Sequence, residues 1–282
     1  MRIISDSSEM QTLANRIRET DLLIGFVPTM GYLHEGHGSL IRGARQQSDI
    51  VVLSIFVNPT QFGPAEDLDK YPRDMERDKE IAREAGTDYI FYPEARDIYT
   101  SEFQTYVNVE KITKSHCGVS RPTHFRGVAT VCTKLFNIVL PHWAFFGQKD
   151  YQQCAVIRRM VKDLNMNLEI IVLPTVREAD GLAMSSRNVY LTPEERKQAT
   201  CLYESLQLAK NMVRAGRTDA RTILMAMREH IKRKPLASID YVSIADTDTL
   251  QELETIRTEA VALLAVYFGK TRLIDNEILR VM

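Results

Sequence analysis

The stretch LLIGFVPTMGYLHEGH, Leu22 to His37, joins an apolar run to a pair of histidines three residues apart, with Gly36 just before the second. The run Leu22 to Val27 has the length and aliphatic content of a buried strand. With a helix from Gly36 onward, PTMGYLHEGH (Pro28 to His37) becomes the turn of a strand–loop–helix unit. The first backbone N–H groups of a helix have no partner within it and lie at the positive end of its dipole, so they favour an anion. Two imidazoles beside them add donors for phosphate oxygens. Phosphate binding, with ATP as the nucleotide, is the chemistry this turn predicts.

Working outward, apolar runs alternate with helical patterns. Strands are predicted at Leu22 to Val27, Ile50 to Val57, Asp88 to Tyr92, Trp143 to Phe146 and Leu168 to Leu173. Helices are predicted at His37 to Gln47, Met75 to Ala85 with Gly86 as its stop, Val128 to Val139 ahead of Pro141, and Gln152 to Leu164. In the last of these, Cys154, Ile157, Val161 and Leu164 recur at three- and four-residue spacing, with Arg158, Arg159, Lys162 and Asp163 on the other side. Strands and helices in alternation imply an α/β fold, a Rossmann-like parallel sheet with helices on both faces and right-handed crossovers.

Past about residue 176 the texture changes. Thr192-Pro193-Glu194-Glu195 has an N-cap, a first-turn proline and acidic residues, opening a helix predicted to reach Ala215 before Gly216. A helix at Asp219 to Lys232 follows, then strands at Ile239 to Ile244, Ala260 to Phe268 and Thr271 to Ile274. Two domains are expected: 1–176, Rossmann-like, and 177–282, a smaller α+β unit that acts as a lid over the nucleotide.

Composition narrows the class. The chain has 282 residues, 44% of them hydrophobic, and a formal charge of -1, so it can bury a large core but has no basic footprint for nucleic acid. The basic stretch Arg228 to Lys234 reads as the solvated end of a helix stopped by Pro235. Cys117, Cys132, Cys154 and Cys201 lie far apart, without zinc or redox spacing, and are expected to be reduced and buried. No segment approaches the roughly 20 apolar residues of a membrane span, and the first residues have no apolar leader core, so a cytoplasmic setting is expected.

Three further segments could carry chemistry beside the histidine pair. His34 and His37 by themselves are weak, because residues three apart on a helix are often mere neighbours, and a two-histidine zinc helix would need a four-residue step. In SIFVNPTQF, Ser54 to Phe62, Asn58-Pro59 turns the chain at the carboxyl end of a strand and Gln61 offers a neutral amide; the bland reading is a polar loop residue. In FFGQKDYQQ, Phe145 to Gln153, Gly147 permits close backbone approach, Lys149 is a mobile cation and Asp150 falls at a helix N-cap position; alternatively, Asp150 only caps and Lys149 is only solvated. In GLAMSSRN, Gly181 to Asn188, two hydroxyls and an arginine could grip a polyphosphate, although serine-rich loops are common.

Taken together, PTMGYLHEGH, SIFVNPTQF, THFRGV, FGQKDYQQ and GLAMSSRN, in this order and over this length, resemble the pantothenate synthetase (pantoate–β-alanine ligase) family. The resemblance extends to RLIDN, Arg272 to Asn276, and so covers nearly the whole chain. The wider likeness is to nucleotidyltransferases and class I aminoacyl-tRNA synthetases, whose histidine pair and Lys-Met-Ser-Lys-Ser-type loop resemble His34/His37 and Met184 to Arg187.

The resemblance implies a two-step ligation: pantoate attacks ATP to give pantoyl adenylate and pyrophosphate, then β-alanine displaces AMP to give pantothenate. It implies ATP contacts along Met30, Gly31, Tyr32, Leu33, His34, Glu35, Gly36 and His37, with both histidines on the phosphates and His37 as proton donor. Gly147, Gln148, Lys149 and Asp150 would hold the nucleotide, with Lys149 on the phosphates, and Val176 would meet the adenine through its backbone. Met184, Ser185, Ser186 and Arg187 would close over the triphosphate. Gln61 and Gln153 would bind pantoate, and Gln61 would also meet β-alanine. Mg2+ is implied by the ATP chemistry without a protein ligand being assigned, and a homodimer is implied as the assembly. Gln148 stands where many relatives have glutamate, Tyr32 and Glu35 fall at variable positions, and Arg121, His124 and Arg126 receive no role. The two arginines could serve the pantoate pocket or anchor a loop to a carboxylate.

Three other readings predict different behaviour. An adenylyltransferase that keeps AMP on its product would share the histidines and the Ser-Ser-Arg loop without needing Gln61 and Gln153 together. A non-catalytic nucleotide sensor would bind ATP without turnover. A synthetase fragment would need a basic or helical anticodon-binding region, which the near-zero charge speaks against.

Overall fold

The computed structural model describes residues 1–64 and 66–281. In chain order its regular elements are β1 (Arg2–Ile4), α1 (Ser7–Arg18), β2 (Ile24–Thr29), α2 (Glu35–Gln47), β3 (Ile50–Ile55), α3 (Met75–Ala85), β4 (Tyr89–Phe91), α4 (Ala95–Ile98), α5 (Cys117–Ser120), α6 (His124–Val139), β5 (Trp143–Gly147), α7 (Tyr151–Asp163) and β6 (Glu169–Leu173). After them come α8 (Pro193–Ala199), α9 (Cys201–Arg214), α10 (Ala220–Lys232), β7 (Ala237–Ala245), β8 (Glu259–Phe268) and β9 (Thr271–Arg280). Short 3-10 segments lie at Pro59–Gln61, Gln148–Asp150 and Ser186–Tyr190.

The chain divides into two compact units. The first comprises Met1–Lys114, Arg121–Gln148 and Gln153–Pro174; the second comprises Ser115–Ser120, Lys149–Gln152 and Thr175–Met282. Lys149 and Asp150 thus belong to the second unit although they fall within the range 1–176.

The first unit is built on a parallel sheet of order β1-β4-β3-β2-β5-β6. Its strands are short and apolar because both faces are covered, so side chains of either parity must be buried. Phe26, Val52, Phe91, Ala144 and Phe146 point to one face, where they pack with Met10 and Ile17 of α1, Val128 and Leu135 of α6, and Ile157 and Met160 of α7. Val27, Val51, Leu53, Ile90 and Phe145 point to the other, against Leu40, Ile41 and Ala44 of α2 and Ala82 and Ala85 of α3. The chain runs outward from β2 through β3 to β4, then returns to place β5 on the opposite side of β2. The crevice beyond the carboxyl ends of β2 and β5 is therefore the topological switch point, the usual ligand position in such sheets.

In the second unit the antiparallel sheet β7-β8-β9 lays one face on α9 and α10. Ala260, Ala262, Leu264, Val266 and Phe268 of β8 meet Leu206, Ala209 and Val213 of α9 and Ile223, Met227 and Ile231 of α10.

Several elements differ from the sequence expectation. β1 and α1 have no counterpart in it; α1 is nonetheless locally specified, with Asp6 accepting from the Glu9 N–H at 2.7 Å and Met10, Ala14 and Ile17 buried. α6 starts at His124 rather than Val128. The helix expected over 192–215 is two helices meeting at Thr200, whose backbone stays in the α region while its hydroxyl donates to Glu204 at 2.9 Å. β9 runs to Arg280, paired with β8 along its length. Leu164, expected on the buried stripe of α7, is half exposed, because the helix ends at Asp163. Among the described residues no helix is long and apolar enough to cross a membrane.

Candidate active site

The histidine loop leaves β2 at Thr29, whose hydroxyl donates to the Ser54 carbonyl at 2.7 Å and accepts from the Gly31 N–H at 3.2 Å. Gly31 and Tyr32 both adopt left-handed backbone, φ +81° and +50°. Glycine tolerates this and tyrosine does so at a cost, so something must hold the turn. Asp78 of α3 does: its carboxylate accepts from the Tyr32 N–H at 2.9 Å and the Leu33 N–H at 2.6 Å. Burial pushes the Asp78 carboxyl above the usual carboxylate range, and the two N–H bonds oppose that shift. Arg77 lies 4.9 Å over the Tyr32 ring.

The loop then delivers His34 in extended backbone as the N-cap of α2. Its Nδ1 accepts from the Gly36 N–H at 3.1 Å, while the Nδ1 of His37 accepts from the His34 N–H at 3.2 Å. This is a reciprocal capping box made by two imidazoles, with ring centroids 4.1 Å apart. A neutral imidazole whose Nδ1 accepts carries its proton on Nε2. Both rings therefore hold Nε2–H donors, at the helix end where anions are favoured.

From the next loop Gln61 joins this group. Its Oε1 accepts from the Asn58 amide at 3.0 Å and its Nε2 donates to the Met30 sulfur at 3.0 Å, so β2 and β3 loops meet at this side chain. Asn58, 1% exposed, is the local organiser: it also donates to the Gly127 carbonyl at 3.1 Å and accepts from the Tyr99 hydroxyl at 2.9 Å. Gly127 explains part of THFRGV, since a Cβ there would lie 2.4 Å from the Thr60 carbonyl oxygen and 2.6 Å from the Gln61 nitrogen. His124 bonds the Gln61 carbonyl through Nδ1 at 3.0 Å and meets Arg121 through Nε2 at 3.1 Å. Of the two uses open to the arginines, Arg121 takes the anchoring one, in an ion pair with Glu66. Although burial opposes it, that pairing holds the Glu66 carboxyl below its ordinary value. Arg126 lies 4.5 Å over the Tyr106 ring.

At the end of β5, a Cβ on Gly147 would meet no protein atom within 4 Å, so the space beside this glycine is open to a ligand. Gln148 follows it, and Gln153 lies half-buried in the first turn of α7. Asp150 closes the 3-10 segment directly before α7, at the N-cap position expected for it, with its carboxylate 3.4 Å from Lys149 Nζ.

The remaining candidates gather in the second unit. The Met184 N–H donates to the Val176 carbonyl at 3.0 Å, and Arg177 bridges to Ala183, so Val176 and Met184 are neighbours across a two-stranded turn. Gly181 at φ +93° makes that turn under the ring of Tyr203, which leaves no room for a Cβ. Ser185 caps the 3-10 segment by accepting from the Arg187 N–H at 3.2 Å. Lys149 and Ser185 line one small cavity with Asn188 and Asp275.

Sequence reasoning did not single out Asp78, Asn58 as the holder of Gln61, or Arg177 with Asp275. Each acts on its partner across 3 to 98 positions of chain, and a lone Asp or Asn has no local periodicity to announce it. Among the described residues no group of three or more His, Cys, Asp or Glu side chains could hold a metal ion.

The first unit defines a Rossmann-like α/β fold whose candidate groups His34, His37 and Gln61 stand on loops at the carboxyl ends of its strands. The family model for pantoate–β-alanine ligase matches residues 2–278, and the chain belongs to that family. Among curated proteins, the pantothenate synthetase of Thermotoga neapolitana is 56% identical over 279 residues, covering 99% of this chain and 100% of its own length. That of Desulfatibacillum aliphaticivorans is 58% identical, covering 99% of both chains. Among solved structures, pantothenate synthetase from Thermus thermophilus superposes with a TM-score of 0.92 at 45% identity, covering 98% of this chain and 99% of that one. The pantoate–β-alanine ligase of Francisella tularensis, complexed with β,γ-ATP and β-alanine, gives 0.81 at 35% identity, covering 99% and 97%.

Proposed function

We propose that the chain condenses pantoate with β-alanine, consuming ATP, through an enzyme-bound pantoyl adenylate. In the first step a pantoate carboxylate oxygen attacks the α-phosphorus and the bridge to the β-phosphate breaks, releasing pyrophosphate. In the second the β-alanine amine attacks the acyl carbon, the acyl–phosphate C–O bond breaks, AMP leaves and the amine gives up a proton. Family membership supports the overall reaction, and the ATP and β-alanine bound by the Francisella relative support two of its substrates.

The observation that carries the site assignment is the imidazole capping box: two Nε2–H donors at the start of α2, fixed by backbone N–H groups on their Nδ1 atoms. His34 and His37 would bind the phosphates, with His37 as proton donor, and the backbone from Met30 to His37 would line the nucleotide. Gly147 to Asp150 would hold ATP with Lys149 on its phosphates, and Val176 would meet the adenine. Ser185, Ser186 and Arg187, next to Met184, would offset the charge of departing pyrophosphate. Gln61 and Gln153 would take pantoate, and Gln61 the β-alanine as well. Cations and imidazoles thus serve phosphate, and neutral amides a small hydroxy acid.

Mg2+ would enter with the triphosphate, keeping several waters, because the described residues offer it no carboxylate cage; it would neutralise phosphate charge. The expected assembly is a homodimer, checked by a solution mass near twice 32.3 kDa. Four buried thiols suit a reducing, cytoplasmic setting.

The test is pyrophosphate exchange into ATP with Mg2+ and pantoate present and β-alanine left out. Exchange should require pantoate, and His37→Ala should lower it by about 10²- to 10³-fold, as loss of a transition-state donor does. Turnover that never requires pantoate would refute the reading.

A further inference from the structure

The RLIDN segment has no part in the assignments above, and the geometry of the second unit gives it one. Consecutive residues of a strand point to opposite faces. In β9 this sends Asp275 toward α9, onto Arg177 of the turn that leads into Met184 to Arg187, and Asn276 the other way, onto the segment carrying Lys149. Asp275, 2% exposed, takes both Arg177 guanidinium nitrogens, at 2.7 and 3.0 Å. Arg177 in turn donates to the Gly181 carbonyl at 3.0 Å and stacks 4.7 Å over the Tyr203 ring. It also forms the bridge to Ala183 that sets up Met184 to Arg187. On the opposite face the Asn276 amide donates to the Lys149 carbonyl at 2.9 Å. The Asn276 backbone N–H meanwhile donates to Asp275 Oδ1 at 2.8 Å, which fixes the Asp275 carboxylate against Arg177.

The dipeptide therefore grips two segments that are far apart in sequence, one carrying Lys149 and the other the Arg177 turn that leads through Ala183 into Ser185 to Arg187. We propose that Asp275 and Asn276 are positioning residues for ATP: a two-sided clamp on β9 that sets the spacing between the lysine and the Ser-Ser-Arg loop. Both gripped groups are cationic or hydroxyl-bearing, so the ligand whose binding depends on their spacing is a polyphosphate, and pantoate binding should not feel the clamp. This rests on the assignment of those segments to ATP. A purely structural role would act on all substrates and on stability together; a clamp acts on the nucleotide selectively.

Asn276→Ala is the informative variant, because it cuts the bond to Lys149 and leaves the buried Arg177–Asp275 pair whole. Removing Asp275 would strand a buried guanidinium and could unfold the unit. Three quantities should be measured on the full-length protein: the Kd for a non-hydrolysable β,γ-methylene ATP with Mg2+, the KM for pantoate in pyrophosphate exchange, and Tm. The clamp predicts an ATP-analogue Kd raised about five- to tenfold, the worth of one hydrogen bond. It also predicts a pantoate KM within about twofold and a Tm lowered by no more than about 3 °C, against the several degrees per kcal/mol typical of domains. An unchanged Kd overturns the proposal, and so does a parallel loss in nucleotide Kd, pantoate KM and Tm. Wild-type exchange that fails to require pantoate would instead refute the ligase reading, while the nucleotide Kd still decides the clamp.

Discussion

A single carboxylate shows how residue chemistry shapes this site. Asp78 commits both oxygens to the backbone of the histidine loop, at a point where Gly31 and Tyr32 are held in left-handed conformation. Asparagine has the same shape but turns an amide N–H toward one of those donors, so Asp78→Asn leaves one loop N–H facing another. The expected result is a loss of about 1–3 kcal/mol of stability, the cost of an unsatisfied buried donor. Pyrophosphate exchange should fall further than stability implies, by at least tenfold under conditions where the variant stays folded, because His34 and His37 hang from the displaced loop. Thermal melts run beside the exchange assay check this; full activity would show that α2 holds its histidines without Asp78.

At the scale of elements, the close approach of α6 to the turn carrying Gln61 depends on one absent side chain. A Cβ at Gly127 would lie 2.4 to 2.6 Å from backbone atoms of Thr60 and Gln61, which cannot rotate away. Gly127→Ala should therefore push the turn off the helix, costing about 1–3 kcal/mol as overpacking does. Since Asn58 ties this turn to the Gly127 carbonyl, Gln61 should move with it. The KM for pantoate should rise about tenfold or more while the Kd for ATP changes little, because a misplacement of about 1 Å is enough to disturb a bound reactant. Steady-state kinetics with each substrate varied separately give the answer. The segment HFRGV opens α6 and places its glycine where that helix comes closest to the turn.

Across the whole molecule, the first unit packs an apolar cluster on each face of its sheet and the second unit packs one against its own sheet, with two cysteines in each unit and all four free and buried. Burial pushes the thiols of Cys132 and Cys201 up to about 12, so almost none of either is thiolate at neutral pH. Neither should react with a thiol reagent in the native protein at about pH 7–8, and both should label on denaturation, as mass mapping of the modified peptides would show. Reductant should leave Tm unchanged. Rapid native labelling at Cys132 or Cys201 would mean that its unit opens far more readily than its packing allows.

The sequence by itself determined the parallel α/β core, because buried strands of either parity and amphipathic helices leave periods that a local window can read. It carried the loop motifs as well, at spacings that mark the family, with the imidazoles, lysine, serines and arginine proposed for phosphate and the glutamines for a hydroxy acid. The N-terminal strand and helix escaped notice because the strand has three residues and the helix a single cap signal. Tertiary structure decided how the loop residues are held. The tautomers of His34 and His37 follow from which backbone N–H each ring meets, and the orientation of Gln61 follows from Asn58 and Gly127. The joining of Lys149 to Arg177 through Asp275 and Asn276 follows from the register of β9. Those contacts span long stretches of chain and obey no period, so they exist only once the chain has folded.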